Sequence, residues 1–174
     1  MGATDKLQIF EMGFGTGLNA FLTAIQATET GRKVHYTTVE TSPLFWEEVD
    51  GLNYTGVLGH AELFQQLHQN NWNGEIAIND FFTLEKRRID LQNFQTEKRF
   101  DLLYYDAFAP SAQPELWTKE TFEKLFHMLL PGGVLVTYCA KGSVRRAMVA
   151  AGFSVKKLPG PPGKREMIQA EKLA

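Results

Sequence analysis

The stretch "LQIFEMGFGTGLNAFLTAIQATET", residues 7–30, carries two periods and a glycine break between them. Residues 7–13 are an apolar run of strand length. Residues 17–30 place Leu18, Phe21, Leu22 and Ile25 at helical spacing, and Gly31 stops the helix. Gly13, Gly15 and Gly17 fill the turn between them. A turn from strand to helix needs positive φ and a backbone that can be closely approached, and glycine supplies both. The pattern is G-x-G-x-G, not the G-x-G-x-x-G of a dinucleotide site.

Outward from this unit the alternation continues. Residues 33–40, "KVHYTTVE", are β-branched and aromatic and read as a strand. Ser42 and Pro43 are predicted to cap and begin a helix, and "AELFQQLHQN" reads as another. "GEIAIND", residues 74–80, reads as a short strand ending on an acid, followed by a polar stretch read as helical or irregular. Residues 99–106 read as a fourth strand, 118–130 as a helix stopped by "PGG", and 133–139 as a fifth strand. "KGSVRRAMVAAG" reads as a helix, and "FSVKKL" and "REMIQAE" as a hairpin around "PGPPGK". Strands alternating with helices imply βαβ units. The expected fold class is α/β: a Rossmann-like, mostly parallel twisted sheet with helices on both faces and a C-terminal antiparallel hairpin. It is expected to form one domain over residues 1–174.

Bulk composition narrows the class. At 44% hydrophobic and 22% charged, the chain has the balance of a soluble globular domain. No stretch reaches the ~18 apolar residues of a membrane span, and the first residues lack a signal-peptide layout. Cys139 is the lone cysteine, so no internal disulfide is possible, and the expected compartment is the cytoplasm. The four histidines, at 35, 60, 68 and 127, show no ligand spacing, so no metal is expected. Net charge is −2, but residues 141–174 hold eight Lys/Arg against two Glu, a local +6 on a body of −8. A basic end of this kind can attract a polyanion.

In open parallel sheets, ligands sit at the carboxyl ends of strands. That rule selects Glu11, Gly13, Phe14, Gly15, Thr16 and Gly17 after the first predicted strand, Glu40 after the second, Asn79 and Asp80 after the third, and Asp106 after the fourth. Glu40 stands where an acid would accept hydrogen bonds from a ribose diol, and Asn79 and Asp80 where an adenine amino group could be read. A pyrophosphate favours helix amides with no carboxylate nearby. Glu11 before the turn suits an ammonium and a sulfonium instead, which points to S-adenosylmethionine. Asp106 opens an unusual loop, "YYDAFAPSAQPELW", with two prolines and two large aromatics, Phe108 and Trp117.

At this point "GFGTGLN" (13–19), "DAFAPSAQPELWT" (106–118), "LLPGGVLVTY" (129–138), "VRRAMVAAGF" (144–153) and "GKREM" (163–167) resemble the methyltransferase module of the MnmC and stand-alone MnmD family. The resemblance implies a class I, S-adenosylmethionine-dependent methyltransferase. Its reaction converts 5-aminomethyl-(2-thio)uridine to 5-methylaminomethyl-(2-thio)uridine at the tRNA wobble position. It adds Asn19 to the cofactor residues and gives Asp106 a catalytic role in aiming the amine. Phe108, Pro110 and Trp117 would form the substrate loop. Lys141, Arg145, Arg146, Lys156, Lys157, Lys164 and Arg165 would track an anticodon stem-loop through its phosphates. The chain departs from the family at Ala107, where Gly is usual, and at Gln113, where Asn is usual. By the same resemblance, residues 1–174 are expected to be without the family's segment ahead of the glycine turn and without its oxidase module, and a separate oxidase in the same pathway is an expected functional neighbour. The alternatives are a methyl- or aminopropyltransferase for a small amine, and an inactive cofactor-binding module.

Overall fold

The computed structural model describes residues 6–160, 163 and 166–173. It separates into two compact units, Met1–Phe94 and Gln95–Ala174.

The first unit runs β1 (Lys6–Met12), α1 (Leu18–Thr30), β2 (Lys33–Glu40), three short helices α2 (Trp46–Asp50), α3 (Tyr54–Leu58) and α4 (Ala61–Gln69), then β3 (Gly74–Ala77) and β4 (Phe82–Arg88). Its strands lie in the order β3-β4-β2-β1. The β1–β2 and β2–β4 pairs are parallel, and β3 folds back antiparallel on β4. The buried stripe of α1 is Ala20, Phe21, Ala24 and Ala27, while Leu22 is exposed. Small alanines let the helix lie close to the strands, so the stripe turns away from the one predicted. The helix predicted from Ser42 begins later, at Trp46. Its end is closed by Glu48 Oε2, which accepts from Phe45 N at 2.7 Å.

Strand β4 corrects the sequence reading, which took residues 81–98 as helical or irregular. "FTLEKRR" hides its strand period behind charges. Glu85 and Lys86 are both buried. Burial of a charge needs partners, and both have them. Arg87 and Thr37 bond Glu85, and Lys86 Nζ donates to Leu67 O and His68 O at 3.0 and 3.1 Å, closing the carboxyl end of α4.

The second unit runs β5 (Phe100–Tyr105), a 3₁₀ turn (Pro114–Trp117), α5 (Lys119–Met128), β6 (Leu129–Thr137), α6 (Gly142–Ala150), β7 (Ser154–Pro159) and β8 (Glu166–Glu171). Its strand order is β5-β6-β8-β7, with β5–β6 parallel and the rest antiparallel. The predicted hairpin is β7–β8. "PGG" does not separate helix from strand. Instead β6 starts at Leu129 and absorbs it as an irregularity opposite Phe100–Leu102. Phe122, Leu125, Leu135, Val144, Met148, Phe153 and Ile168 are buried in this unit.

Candidate active site

The glycine turn is built from the inside. Gly13 N donates to Val39 O at 3.0 Å, which ties the end of β1 to β2. Gly13, Gly15 and Gly17 all have positive φ, at 90°, 50° and 74°. A Cβ on Gly17 would stand 2.7 Å from His68 Nε2, so this glycine is required by space and by φ. A Cβ on Gly15 would meet nothing within 4 Å, so the space above that backbone is open to a ligand.

Side chains brace the turn from behind. Glu11 is buried and accepts from Asn19 Nδ2 at 3.1 Å and from Thr38 Oγ1 at 3.0 Å. It therefore locks β1, β2 and α1 together. Thr16 Oγ1 and Tyr54 Oη share a hydrogen bond of 3.1 Å. Phe14 is buried against His68 and Trp72, with Lys86 Nζ over its ring at 5.6 Å. His68 Nε2 lies 3.2 Å from Thr16 O. Burial first, and then the positive charge of Lys86, hold the His68 imidazole down at about 4. The ring is neutral at pH 7, and its Nε2–H donates to the Thr16 carbonyl. Burial also lowers Lys86, to about 8.

Glu40 faces the turn from the end of β2. Its Oε2 accepts from Gly15 N at 3.2 Å, and its Oε1 from Thr41 N and Ser42 N at 2.8 and 3.0 Å. Asn79 and Asp80 do not join it. They lie in the β3–β4 hairpin, before β4, where Asn79 Oδ1 accepts from Phe81 N and Phe82 N. Phe82 pairs with Val34, at the start of β2. Six residues separate that end from Glu40, roughly 20 Å of strand.

The acid that does follow β4 is Asp90, which the sequence reading missed. Ile89 N donates to Glu40 O at 3.1 Å, setting Asp90 beside the Glu40 end of the strands. Asn93 N and Nδ2 both donate to its carboxylate at 2.8 Å and lower its pKa. The signal was available: "FTLEKRRID" ends on an acid once its charges are read as paired.

In the second unit, Asp106 follows β5 and is exposed. Tyr138 Oη donates to Ala107 O at 2.9 Å, and Trp117 Nε1 to Phe108 O at 2.8 Å. Trp117 is itself buried against Tyr105, Phe122 and Tyr138, so it is the foundation of the loop and not a surface of it. Phe108 is 71% exposed. Pro110 is half-buried in the turn that Ala109 O closes with Ala112 N and Gln113 N. The Gln113 Oε1 is buried without a hydrogen-bond partner. Burial raises the Tyr138 phenol, with Cys139 and the Asp106 carboxylate adding to it.

Lys141, Arg145 and Arg146 are exposed at the start and along the outer side of α6. Lys156 and Lys157 lie on β7 at 3.9 and 2.7 Å from Glu171 and Glu166. Lys164 and Arg165 lie outside the described residues. Among the described residues, no helix is long and apolar enough to cross a membrane.

The donor set at the turn suits a nucleoside carrying an amino acid more than a polyphosphate. It offers backbone amides and the Glu40 carboxylate, while Lys86 is buried on helix carbonyls.

Comparison with known proteins agrees with that chemistry. A family profile described as S-adenosyl-L-methionine-dependent methyltransferase matches residues 59–173. The tRNA 5-methylaminomethyl-2-thiouridine biosynthesis bifunctional protein MnmC of Aeromonas salmonicida is 30% identical over 191 residues, and that of Pseudomonas fluorescens (strain Pf0-1) 33% over 187. Each alignment covers 98% of this chain but 28% of the relative. Among solved structures, MnmC2 from Aquifex aeolicus superimposes with a TM-score of 0.76 at 22% identity, covering 96% of this chain and 53% of that one. The S-adenosylmethionine-bound amino pentose methyltransferase CalS10 from Micromonospora echinaspora does so at 0.61 and 13%, covering 97% and 84%. These structures establish the class I methyltransferase fold.

Proposed function

The chain belongs to the S-adenosyl-L-methionine-dependent methyltransferase family, and from that premise we propose that it methylates the 5-aminomethyl group of the tRNA wobble uridine, giving 5-methylaminomethyl-(2-thio)uridine in the cytoplasm. The observation that carries this reading is the pairing of an exposed carboxylate, Asp106, with Phe108, 71% exposed two residues later on a loop whose other large aromatic is buried. An exposed ring is a stacking platform for a splayed base, the usual way single-stranded RNA is read. The carboxylate beside it can hydrogen-bond an amine. The relatives named for this modification match nearly the whole chain and support the same substrate.

S-adenosylmethionine supplies an electrophilic methyl group. Gly15, with open space above its backbone, and Glu40 would hold it, with Asp90 as the acid for its base. Asp106 has a different task. An alkylamine has a reference pKa of ~10.4 and is mostly protonated at neutral pH. A nearby carboxylate favours that protonated form. Asp106 therefore acts by aiming the nitrogen, and the proton leaves through water. Aiming two reactants in line is a large part of what an enzyme contributes to a displacement. Tyr138, a raised phenol bonded to Ala107 O, holds the loop and does not act as a base. Arg145 and Arg146 would meet phosphates, which fix position and not sequence.

The test is methyl transfer from tritiated S-adenosylmethionine to tRNA from cells lacking the methylation, with the product located by nucleoside mapping. Label in the wobble nucleoside supports the proposal. Label on free polyamines and none on tRNA would replace it with a small-amine methyltransferase.

A further inference from the structure

Glu75 on β3 and Glu85 on β4 are direct partners across the antiparallel pair. Like charges placed opposite each other destabilise a sheet. A third polar side chain reaches the same point from β2: His35 Nε2 lies 2.9 Å from Glu75 Oε2. One donor atom from each of His35, Glu75 and Glu85 falls within 4.8 Å of the other two. His35 and Glu85 are buried, and Glu75 is half exposed.

Thr37 sets the chemistry of the group. Its Oγ1 donates to Glu85 Oε2 at 3.0 Å and lies 3.5 Å from His35 Nδ1. The hydroxyl hydrogen is directed to the carboxylate, so its oxygen can accept from Nδ1. Nε2 then faces Glu75 Oε2, where a proton or a metal ion can bridge the two. Metal-bound histidines are held in the same way, with the second ring nitrogen donating to a fixed acceptor. Arg87 Nε and Nη2 donate to Glu85 Oε1 at 2.9 and 2.7 Å.

We propose that His35, Glu75 and Glu85 form a zinc-type transition-metal site that clamps the edge strand β3 to β2 and β4. One imidazole and two carboxylates suit Zn²⁺ or Co²⁺; Mg²⁺ and Ca²⁺ favour oxygen alone. Zn–N and Zn–O bonds of ~2.0–2.2 Å set tetrahedral ligand atoms roughly 3.3 Å apart. Glu75, on the exposed side, has the freedom to adjust from 2.9 Å, and water fills the fourth position. His35 lies five residues before Glu40 on β2, roughly 17 Å along the strand, so the metal is structural and separate from the glycine turn. The expectation of no metal came from histidine spacing along the chain. This set comes from three strands and has no spacing to read.

The experiment is calorimetric titration of chelator-treated protein with Zn²⁺, paired with thermal unfolding and with visible absorption of the Co²⁺ form. Expected are one Zn²⁺ per chain, a Tm rise of roughly 5–10 °C at a hundredfold excess over the dissociation constant, and a four-coordinate Co²⁺ spectrum. Glu75→Gln and His35→Gln should abolish all three, and His127→Gln should keep them. Glu75 is half exposed, so Glu75→Gln folds and decides the matter alone. Absence of zinc binding by the wild type, or binding undiminished in Glu75→Gln, overturns the proposal.

Discussion

The glycine turn and the 106–118 loop present opposite things to a ligand. In the turn, side chains are the hidden support: Glu11, Asn19, Thr38 and His68 all bond or pack behind it, and what faces out is backbone and Glu40. In the loop, backbone is the hidden support. The carbonyls of Ala107 and Phe108 are held by Tyr138 and Trp117, and what faces out is Asp106 and Phe108. A site made of backbone is broken by adding atoms. A site made of side chains is broken by removing them.

Removal should have its largest effect at Asp106. Asp106→Ala is expected to lower kcat by ~10²–10⁴-fold, the usual contribution of a positioned acid–base or aiming group, with cofactor affinity nearly unchanged. Loss of an interaction made mainly in the transition state falls on kcat more than on KM. Asp106→Asn keeps an acceptor without the charge and should recover much of the rate if aiming is the role. Wild-type turnover in both variants would make the loop a structural element only.

Addition should act at the turn, and differently at two glycines. Gly15→Val should lower stability, because a φ of 50° is strained for any side chain, and its folded fraction should no longer bind S-adenosylmethionine in calorimetry, because the side chain enters open space. Gly17→Ala has the same kind of φ penalty, ~1–3 kcal/mol, and should cost more than that because its Cβ also displaces His68. Normal cofactor affinity in folded Gly15→Val would remove the turn from the site.

The contrast also explains what the sequence revealed. The turn was legible because positive φ selects glycine, a choice visible in any sequence, and Glu40 because β2 has a plain β-branched period. Asp106 was legible as a strand-end acid, and its loop by family resemblance. Strand β4 was not legible, since Glu85 and Lys86 look like surface and are buried only because Thr37, Arg87 and the α4 carbonyls accompany them. Missing that strand moved the third acid from Asp90 to Asp80. Phe14 and Trp117 could not be assigned from sequence either, because a buried and a stacking aromatic are spelled the same.

That displaced acid gives a graded test. Glu40→Ala should weaken cofactor binding by about 1.5–3 kcal/mol, the range for a hydrogen bond to a charged group. Asp90→Ala should weaken it less, since two Asn93 donors already engage that carboxylate. Asp80→Ala should leave the dissociation constant unchanged. An effect at Asp80 larger than at Asp90 would reverse the assignment made from strand register.

A smaller effect is expected at the exposed face of α6. Each phosphate contact contributes about 0.9 to the slope of log affinity against log salt on duplex nucleic acid and about 0.7 on single strands. Replacing Arg145 and Arg146 by Ala should flatten the slope for tRNA accordingly and leave cofactor binding alone. An unaltered slope would mark them as solvated residues.

The support behind the turn is tested by pH. His68 has its pKa lowered from 6.5 to about 4, by burial first and by Lys86 second. Between those values the unfolded chain binds a proton that the folded chain does not. Stability from this group is therefore complete above about pH 6.5 and is lost as pH falls toward about 4. The slope contributed by one proton is at most ~1.36 kcal/mol per pH unit. His68→Gln keeps an N–H donor for Thr16 O but cannot titrate. Its curve of stability against pH should be shallower than wild type by up to one proton across that window, and parallel to it above. The carboxylates that titrate nearby are common to both proteins, so the difference isolates His68. Parallel curves throughout would mean that the imidazole can take up a proton in the folded state, and that the back of the turn is wetter than its packing implies.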